Sequence, residues 1–122
     1  MTKVLAIDDD ALLRDSIVNV LTLRGLTAIA AENGYAGLKL AQENIPDLVL
    51  CDVRMPGLSG YEVLKSLRQD PNTAAIPFIF LTAENTPEVT AMGADLGANG
   101  YLCKPFSTAE LMTAIAPFIS DQ

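Results

Sequence analysis

Five short apolar runs divide this chain, and periodic segments fill the gaps between them. Val4–Ile7 is the first run, and it stops at three aspartates, Asp8, Asp9 and Asp10. Continuous apolar runs of this length suit strands covered on both faces, the mark of a parallel sheet. From Ala11 to Arg24, Leu13, Ile17, Val20, Leu21 and Arg24 recur at spacings of three and four. That spacing predicts a helix capped by Asp10 and ended by Gly25, with Arg24 extending its charged head past the apolar face. Thr27–Ala31 reads as a second strand, and Asn33-Gly34 turns the chain. A helix follows over Tyr35–Glu43, with Leu38 and Ala41 inward, and Ile45-Pro46 stops it. The third strand is Leu48–Val53. Ser59 caps a helix running to about Gln69, and Glu62 completes a capping-box pattern. Val63, Leu64 and Leu67 form its apolar face. Phe78–Leu81 is the fourth strand, ending at Thr82. Glu88–Leu96 is a helix of small residues interrupted by Gly93, the least self-stable of the five. Asn99–Cys103 is the fifth strand and ends at Lys104-Pro105. Ser107 and Glu110 repeat the capping-box pattern, and Leu111, Ile115 and Phe118 carry a last helix that Pro117 frays or bends.

A strand and a helix therefore alternate five times, with no linker, repeat or low-complexity tract between them. Such alternation predicts an α/β fold, a five-stranded parallel sheet with helices on both faces. Right-handed crossovers leave few topologies, and the flavodoxin-like, doubly wound order 2-1-3-4-5 fits best. Residues 1–122 read as one domain, long enough to bury a core. In this order the chain reverses direction between the first and third strands. Ligands of open α/β sheets bind there, where Asp8, Asp9 and Asp52 emerge.

Charge and composition narrow the chemistry. The formal charge is −7, which disfavours direct nucleic-acid binding or attachment to an anionic membrane and suits a cation or a basic partner. No run has the length of a membrane helix, and the N-terminus has too short an apolar run for a signal peptide, so a cytoplasmic location is expected. The chain has no histidine, which removes the commonest metal ligand and general base. Any phosphohistidine must come from another protein. Cys51 and Cys103 each sit within an apolar run, and their spacing matches neither a metal knuckle nor a redox pair. Both read as small buried hydrophobes.

Four of the five strands end in a polar group: Asp8 and Asp9, then Asp52, Thr82 and Lys104. Each alone has an ordinary explanation as a helix cap, a strand-end hydroxyl or a solvated charge. Together at one sheet edge they form a chemical set. Carboxylates converging in a cleft repel unless a cation lies among them. A hard divalent ion such as Mg²⁺ takes carboxylate oxygens, waters and a phosphate oxygen. Asp52 can act as a nucleophile on phosphorus, Lys104 can place an ammonium on the transferred group, and Thr82 can offer it a hydroxyl.

The sequence resembles the receiver domain of bacterial two-component response regulators over essentially its whole length. The matching features are Asp8-Asp9, Asp52-Val-Arg-Met-Pro-Gly57 with Gly60, Thr82-Ala83 and Tyr101-Leu-Cys-Lys-Pro-Phe106. Spacing matches as well, thirty residues from Asp52 to Thr82 and twenty-two from Thr82 to Lys104. The resemblance implies that Asp52 is a phosphoacceptor. It implies that Asp9, Asp52 and the backbone carbonyl of Arg54 ligate Mg²⁺ (or Mn²⁺), with Asp8 acting through water. Thr82 and Lys104 would contact the phosphoryl group, and Lys104-Pro105 would be a cis peptide. The implied partners are a sensor histidine kinase or phosphotransfer protein and a downstream effector or fused output domain. The implied response is a shift of Thr82 toward the phosphoryl oxygens and an inward rotation of Tyr101. The surface of the fourth helix, fifth strand and fifth helix then changes. Such a protein is a switch rather than a turnover enzyme.

Positions two beyond the phosphoacceptor and two beyond the threonine vary in this family. Here they are Arg54 and Glu84, opposite charges expected to pair across the site mouth and slow self-dephosphorylation. Relatives that dimerise through charged helix pairs carry basic residues in the last helix. Glu110–Ile119 has none, so that dimer is not expected. A competing reading is a Mg²⁺-dependent phosphatase of the haloacid dehalogenase type, whose Asp-x-Asp-x-Thr/Val signature Asp8-Asp9-Asp10-Ala11-Leu12 nearly fits. That reading leaves Asp52 unexplained. A nucleotide- or flavin-binding module would need glycines where the aspartates stand. The complete set of site residues argues against an unphosphorylated interaction domain. The sequence is compatible both with a stand-alone regulator and with the receiver part of a longer protein.

Overall fold

The computed structural model describes residues 2–83 and 87–119. Its elements run β1 (Lys3–Ile7), α1 (Ala11–Leu23), β2 (Thr27–Ala31), α2 (Gly34–Asn44), β3 (Leu48–Asp52), α3 (Gly60–Gln69), β4 (Phe78–Thr82), α4 (Pro87–Asp95), β5 (Gly100–Cys103) and α5 (Thr108–Ile115), with a 3-10 turn at Ala116–Phe118. The strands form one parallel sheet in the order β2-β1-β3-β4-β5. The doubly wound topology expected from the alternation is the one observed.

Strand residues point alternately to the two faces, and each face has its own core. Leu5, Ile7, Val49, Cys51, Phe78 and Phe80 pack with Val63, Leu64 and Leu67 of α3 and Ala41 of α2. Val4, Ala6, Leu48, Leu50, Ile79 and Leu81 pack on the other face with Ile17 and Leu21 of α1 and Leu111 and Ile115 of α5. β3 and β4 are buried at every position, which explains why their sequences are unbroken apolar runs.

Local chemistry sets the boundaries. Asp10 accepts from the backbone N–H groups of Leu12 and Leu13 and caps α1. Gly25, at φ 81°, lets the chain leave that helix through the left-handed region. Ser59 with Glu62, and Ser107 with Glu110, form complete capping boxes at α3 and α5. Several ends differ from the sequence expectation by a residue. Val53 lies outside β3, Thr82 belongs to β4, Asn99 precedes β5, and α4 begins at Pro87 and ends at Asp95. Arg24 caps the C-terminus of α1 rather than packing on its apolar face. Asn33 is the N-cap of α2, and Gly34 and Gly37 are buried there beside Ala41. A Cβ on Gly37 would meet the Ile7 side chain, so the bare backbone lets α2 lie close to β1.

One cysteine corrects the sequence reading. Cys51 is buried, but Cys103 is exposed. β5 is an edge strand paired only with β4, and Cys103 is its last residue, so cover runs out there. Among the described residues no helix is long and apolar enough to cross a membrane.

Candidate functional site

The C-terminal ends of β1, β3, β4 and β5 meet at one edge of the sheet. Ile7 lies opposite Cys51 in the β1–β3 register, so Asp8 and Asp52 leave neighbouring strands at the same level. Thr82 pairs with Cys103 in the β4–β5 register, and Lys104 follows directly. Ladder hydrogen bonds continue past the strand ends and hold the emerging residues. Asp8 N–H donates to the Ala31 carbonyl at 3.1 Å, Val53 N–H to that of Leu81 at 3.2 Å, and Lys104 N–H to that of Thr82 at 2.7 Å. The Lys104–Pro105 peptide is cis.

Lys104 joins the two inner carboxylates. Its Nζ is 2.9 Å from Asp8 Oδ2 and 3.3 Å from Asp52 Oδ2. Asp8 is fully buried, and Asp52 is 8% exposed. Asp9 is exposed at the rim, yet ligand oxygens of Asp8, Asp9 and Asp52 lie within 4.8 Å of one another. Three carboxylates so close to a single shared ammonium leave negative charge in excess. Burial pushes the Asp52 carboxyl above its ordinary value of 3.8, and the neighbouring Asp8 raises it further, against the opposing pull of Lys104. Burial alone would lower the Lys104 ammonium, but the Asp8 and Asp52 carboxylates outweigh it, and the net direction is up. This lysine therefore carries its charge at neutral pH.

The donor set suits a hard divalent cation. It consists of oxygen only, carries excess negative charge, and lies at the rim of the sheet. Asp8 Oδ2 has Nζ as its ion-pair partner but accepts no well-directed hydrogen bond among the described residues, although it is shielded from water. A buried carboxylate oxygen with spare acceptor capacity is what a cation, or water bound to one, would engage.

Backbone contacts hold the acidic pair in place. The other oxygen of Asp8 accepts from the Asp10 N–H at 2.9 Å, and the Asp8 carbonyl accepts from Arg14 Nη1 at 2.7 Å. Sequence reasoning missed Arg14; the available signal was a basic side chain one turn into the helix that follows the acidic run. Behind Asp52, the start of α3 packs directly on the strand. Gly60 N–H donates to the Val53 carbonyl at 2.9 Å, and a Cβ on Gly60 would collide with the Asp52 carbonyl oxygen. The Arg54 N–H reaches Asp52 Oδ1 at 3.4 Å, a long contact, while the Arg54 side chain is exposed. Glu84, expected to face Arg54, lies outside the described residues. Burial raises the Cys51 thiol well above its ordinary value, so this neighbour of Asp52 stays protonated and unreactive.

Tyr101 sits farther down the sheet. It pairs with Phe80 in the β4–β5 register, two residues before Thr82 on the strand. Its ring stacks on Phe80, with centroids 5.8 Å apart, and Phe80 meets Tyr61 of α3 edge-on at 5.3 Å. Asp8, Asp9, Asp52 and Lys104 are thus gathered in one cluster, Thr82 stands at the same sheet edge, and Tyr101 lies below on the face covered by α3 and α4.

Known proteins share this sequence pattern and fold. The family model for the response regulator receiver domain matches residues 4–116. Protein PilH of Pseudomonas aeruginosa is 35% identical over 115 residues, which cover 94% of this chain and 95% of that protein. The transcriptional regulatory protein CpxR of Escherichia coli is 40% identical over 115 residues, covering 94% of this chain and 48% of CpxR. The chain spans about half the length of CpxR and of several other curated transcriptional regulators it matches. Among solved structures, the chemotaxis protein CheY4 of Vibrio cholerae superposes with a TM-score of 0.94 at 33% identity, covering 98% of this chain and 99% of that one.

Proposed function

The chain belongs to the response regulator receiver family, and from that premise we propose that Asp52 accepts a phosphoryl group and sets a signalling switch. The supporting observation is the environment of Asp52. This carboxylate stands at the sheet edge beside a shared ammonium and two further carboxylates, one of them, Asp9, exposed at the rim. The donor is a phosphohistidine on a sensor histidine kinase or phosphotransfer protein. An Asp52 oxygen attacks phosphorus, the phosphorus–nitrogen bond breaks, and the released imidazole takes a proton. Lys104 stabilises charge on the phosphoryl oxygens. It can turn to them from Asp52 while keeping Asp8 as its other partner. Thr82 donates its hydroxyl to the same group. Asp9, Asp52 and the Arg54 carbonyl would hold Mg²⁺ (Mn²⁺ as a substitute), with Asp8 assisting through water, and a bound ion would supply positive charge to offset that of the carboxylates and the phosphoryl group. Asp8 is fully buried and tied to Lys104, which makes it a poor nucleophile and favours Asp52 over the phosphatase alternative.

Occupation of the site changes what Thr82 and Lys104 bind, and the consequence is read at Tyr101 and the face of α4, β5 and α5. An effector or a fused output domain recognises that face. Intact-mass measurement after treatment with acetyl phosphate and Mg²⁺ tests the proposal. One added phosphoryl group is expected on the native protein, and none on Asp52→Asn or when Mg²⁺ is chelated. Equal labelling of both proteins would overturn it. The opposite charges of Arg54 and Glu84 are proposed to slow hydrolysis of the acyl phosphate. An Arg54→Ala, Glu84→Ala double variant is expected to lose its phosphoryl group several-fold faster in a decay time course, and an unchanged half-life would contradict this role.

A further inference from the structure

Gly93, in the last turn of α4, has no part in the chemistry above, yet its position is tightly constrained. A Cβ built on it would collide with the Tyr101 hydroxyl and stand 2.9 Å from both the Tyr101 ring carbon Cζ and the Phe80 ring. Contacts this short are essentially never made by real Cβ atoms, and Phe80 is fully buried, so it has little room to yield. The missing side chain is therefore a notch in α4, and the end of Tyr101 fills it. The ring's flat side lies on Phe80. The notch lies on the helix flank, level with Phe80 rather than with Thr82 two strand residues beyond. Two strand residues span about 6.6 Å.

We propose that Gly93 is a positioning residue: its notch seats Tyr101 against α4 in the unphosphorylated protein and so sets the resting state of the switch. The inference rests on the phosphorylation reading given above. Glycine in a helix interior costs roughly 1 kcal/mol against alanine. An alanine here would be the better helix former, so the retained glycine must be explained by the space it leaves. Filling the notch removes the seat and favours any other position open to Tyr101. A ligand or modification needs only to shift a population already biased in that direction.

The test uses Gly93→Ala, read by ¹⁹F NMR on protein labelled with 3-fluorotyrosine. The chain has three tyrosines, so the spectrum is simple, and Tyr101→Phe assigns the relevant signal. In unloaded Gly93→Ala the Tyr101 resonance is expected to leave its native position and move toward that of native protein loaded with beryllofluoride and Mg²⁺. Phosphoryl uptake from acetyl phosphate is expected to be at least twofold faster. A Tyr101 resonance unmoved by Gly93→Ala would overturn the proposal. A stability cycle guards against a merely structural effect. Gly93→Ala is expected to cost clearly less stability in a Tyr101→Ala background, where only the Phe80 contact remains, than in the native one. Equal effects in both backgrounds would also overturn the seat. Failure of every variant, and of native protein, to take up a phosphoryl group would sink the phosphorylation reading alone, because the unloaded spectrum and the stability cycle need no phosphoryl group.

Discussion

At the scale of single residues, the site is a compromise between reactivity and stability. Asp52 is held where its ionised form is disfavoured, by burial first and by Asp8 second. The sign of the consequence follows. An acid whose folded value lies above its ordinary 3.8 contributes stability that is fully present below that value and is lost as pH rises through the raised one. Native protein is therefore expected to lose stability relative to Asp52→Asn between acid and neutral pH in metal-free buffer. Thermal melts of the two proteins across that range check it, and a constant difference would contradict it. Mg²⁺ should narrow the gap, because binding stabilises only the protein that can hold it. A hundredfold excess over the dissociation constant is worth about 2.7 kcal/mol. Lys104 offsets the repulsion within the cluster, since one ammonium answers two carboxylates at 2.9 and 3.3 Å.

At the scale of elements, four of the five strands deliver the polar groups of the site, and the following loop or helix fixes their orientation. The close approach of α3 to β3 is the sharpest case. Alanine at Gly60 would push a Cβ into the Asp52 carbonyl oxygen and bring it within 3.0 Å of Val53 Cα. Both contacts are backbone, so the helix itself must move. Overpacking of this kind costs about 1–3 kcal/mol. A displacement of an ångström at the reacting group can cost about a hundredfold in rate. Gly60→Ala is therefore expected to destabilise the fold and cut phosphoryl uptake by one to two orders of magnitude. Gly100→Ala, whose Cβ would sit 3.7 Å from Ile79, should leave both nearly unchanged. Uptake rates from acetyl phosphate compare the two, and equal rates would rule out the positioning role of Gly60. Much of this scale was legible in the sequence, because buried parallel strands must be continuous apolar runs and capping boxes have a fixed spacing. The glycine contacts were not. A missing Cβ leaves no trace in a hydrophobic pattern, so Gly34, Gly37, Gly60 and Gly93 show their purpose only against the neighbours they approach. Cys103 misled for a similar reason, since an apolar run does not tell an edge strand's end from its middle.

At the scale of the whole molecule, one edge and one face of the sheet divide the labour. The edge formed by β1, β3 and β5 gathers charge, and the face of β4 and β5 covered by α3 and α4 carries the aromatic group of Tyr61, Phe80 and Tyr101. Thr82 belongs to both, as the last residue of β4 and the second after Phe80. The strand-order rules located the charged edge from sequence, because parallel strands bring their C-terminal ends to one edge and the order 2-1-3-4-5 sets the end of β1 beside that of β3. The state of the aromatic flank was not legible, since it depends on the packing of α4 against β5. In the proposed function its response to the charged edge would depend on a single covalent event at Asp52. Borohydride trapping tests that event most directly. Protein treated with acetyl phosphate and Mg²⁺ is reduced, digested and mapped by mass spectrometry, because an aspartyl phosphate is reduced to homoserine where a free carboxylate is not. The account predicts homoserine at position 52 and at no other aspartate; homoserine at Asp8 or Asp9, or none after stoichiometric uptake, would contradict it.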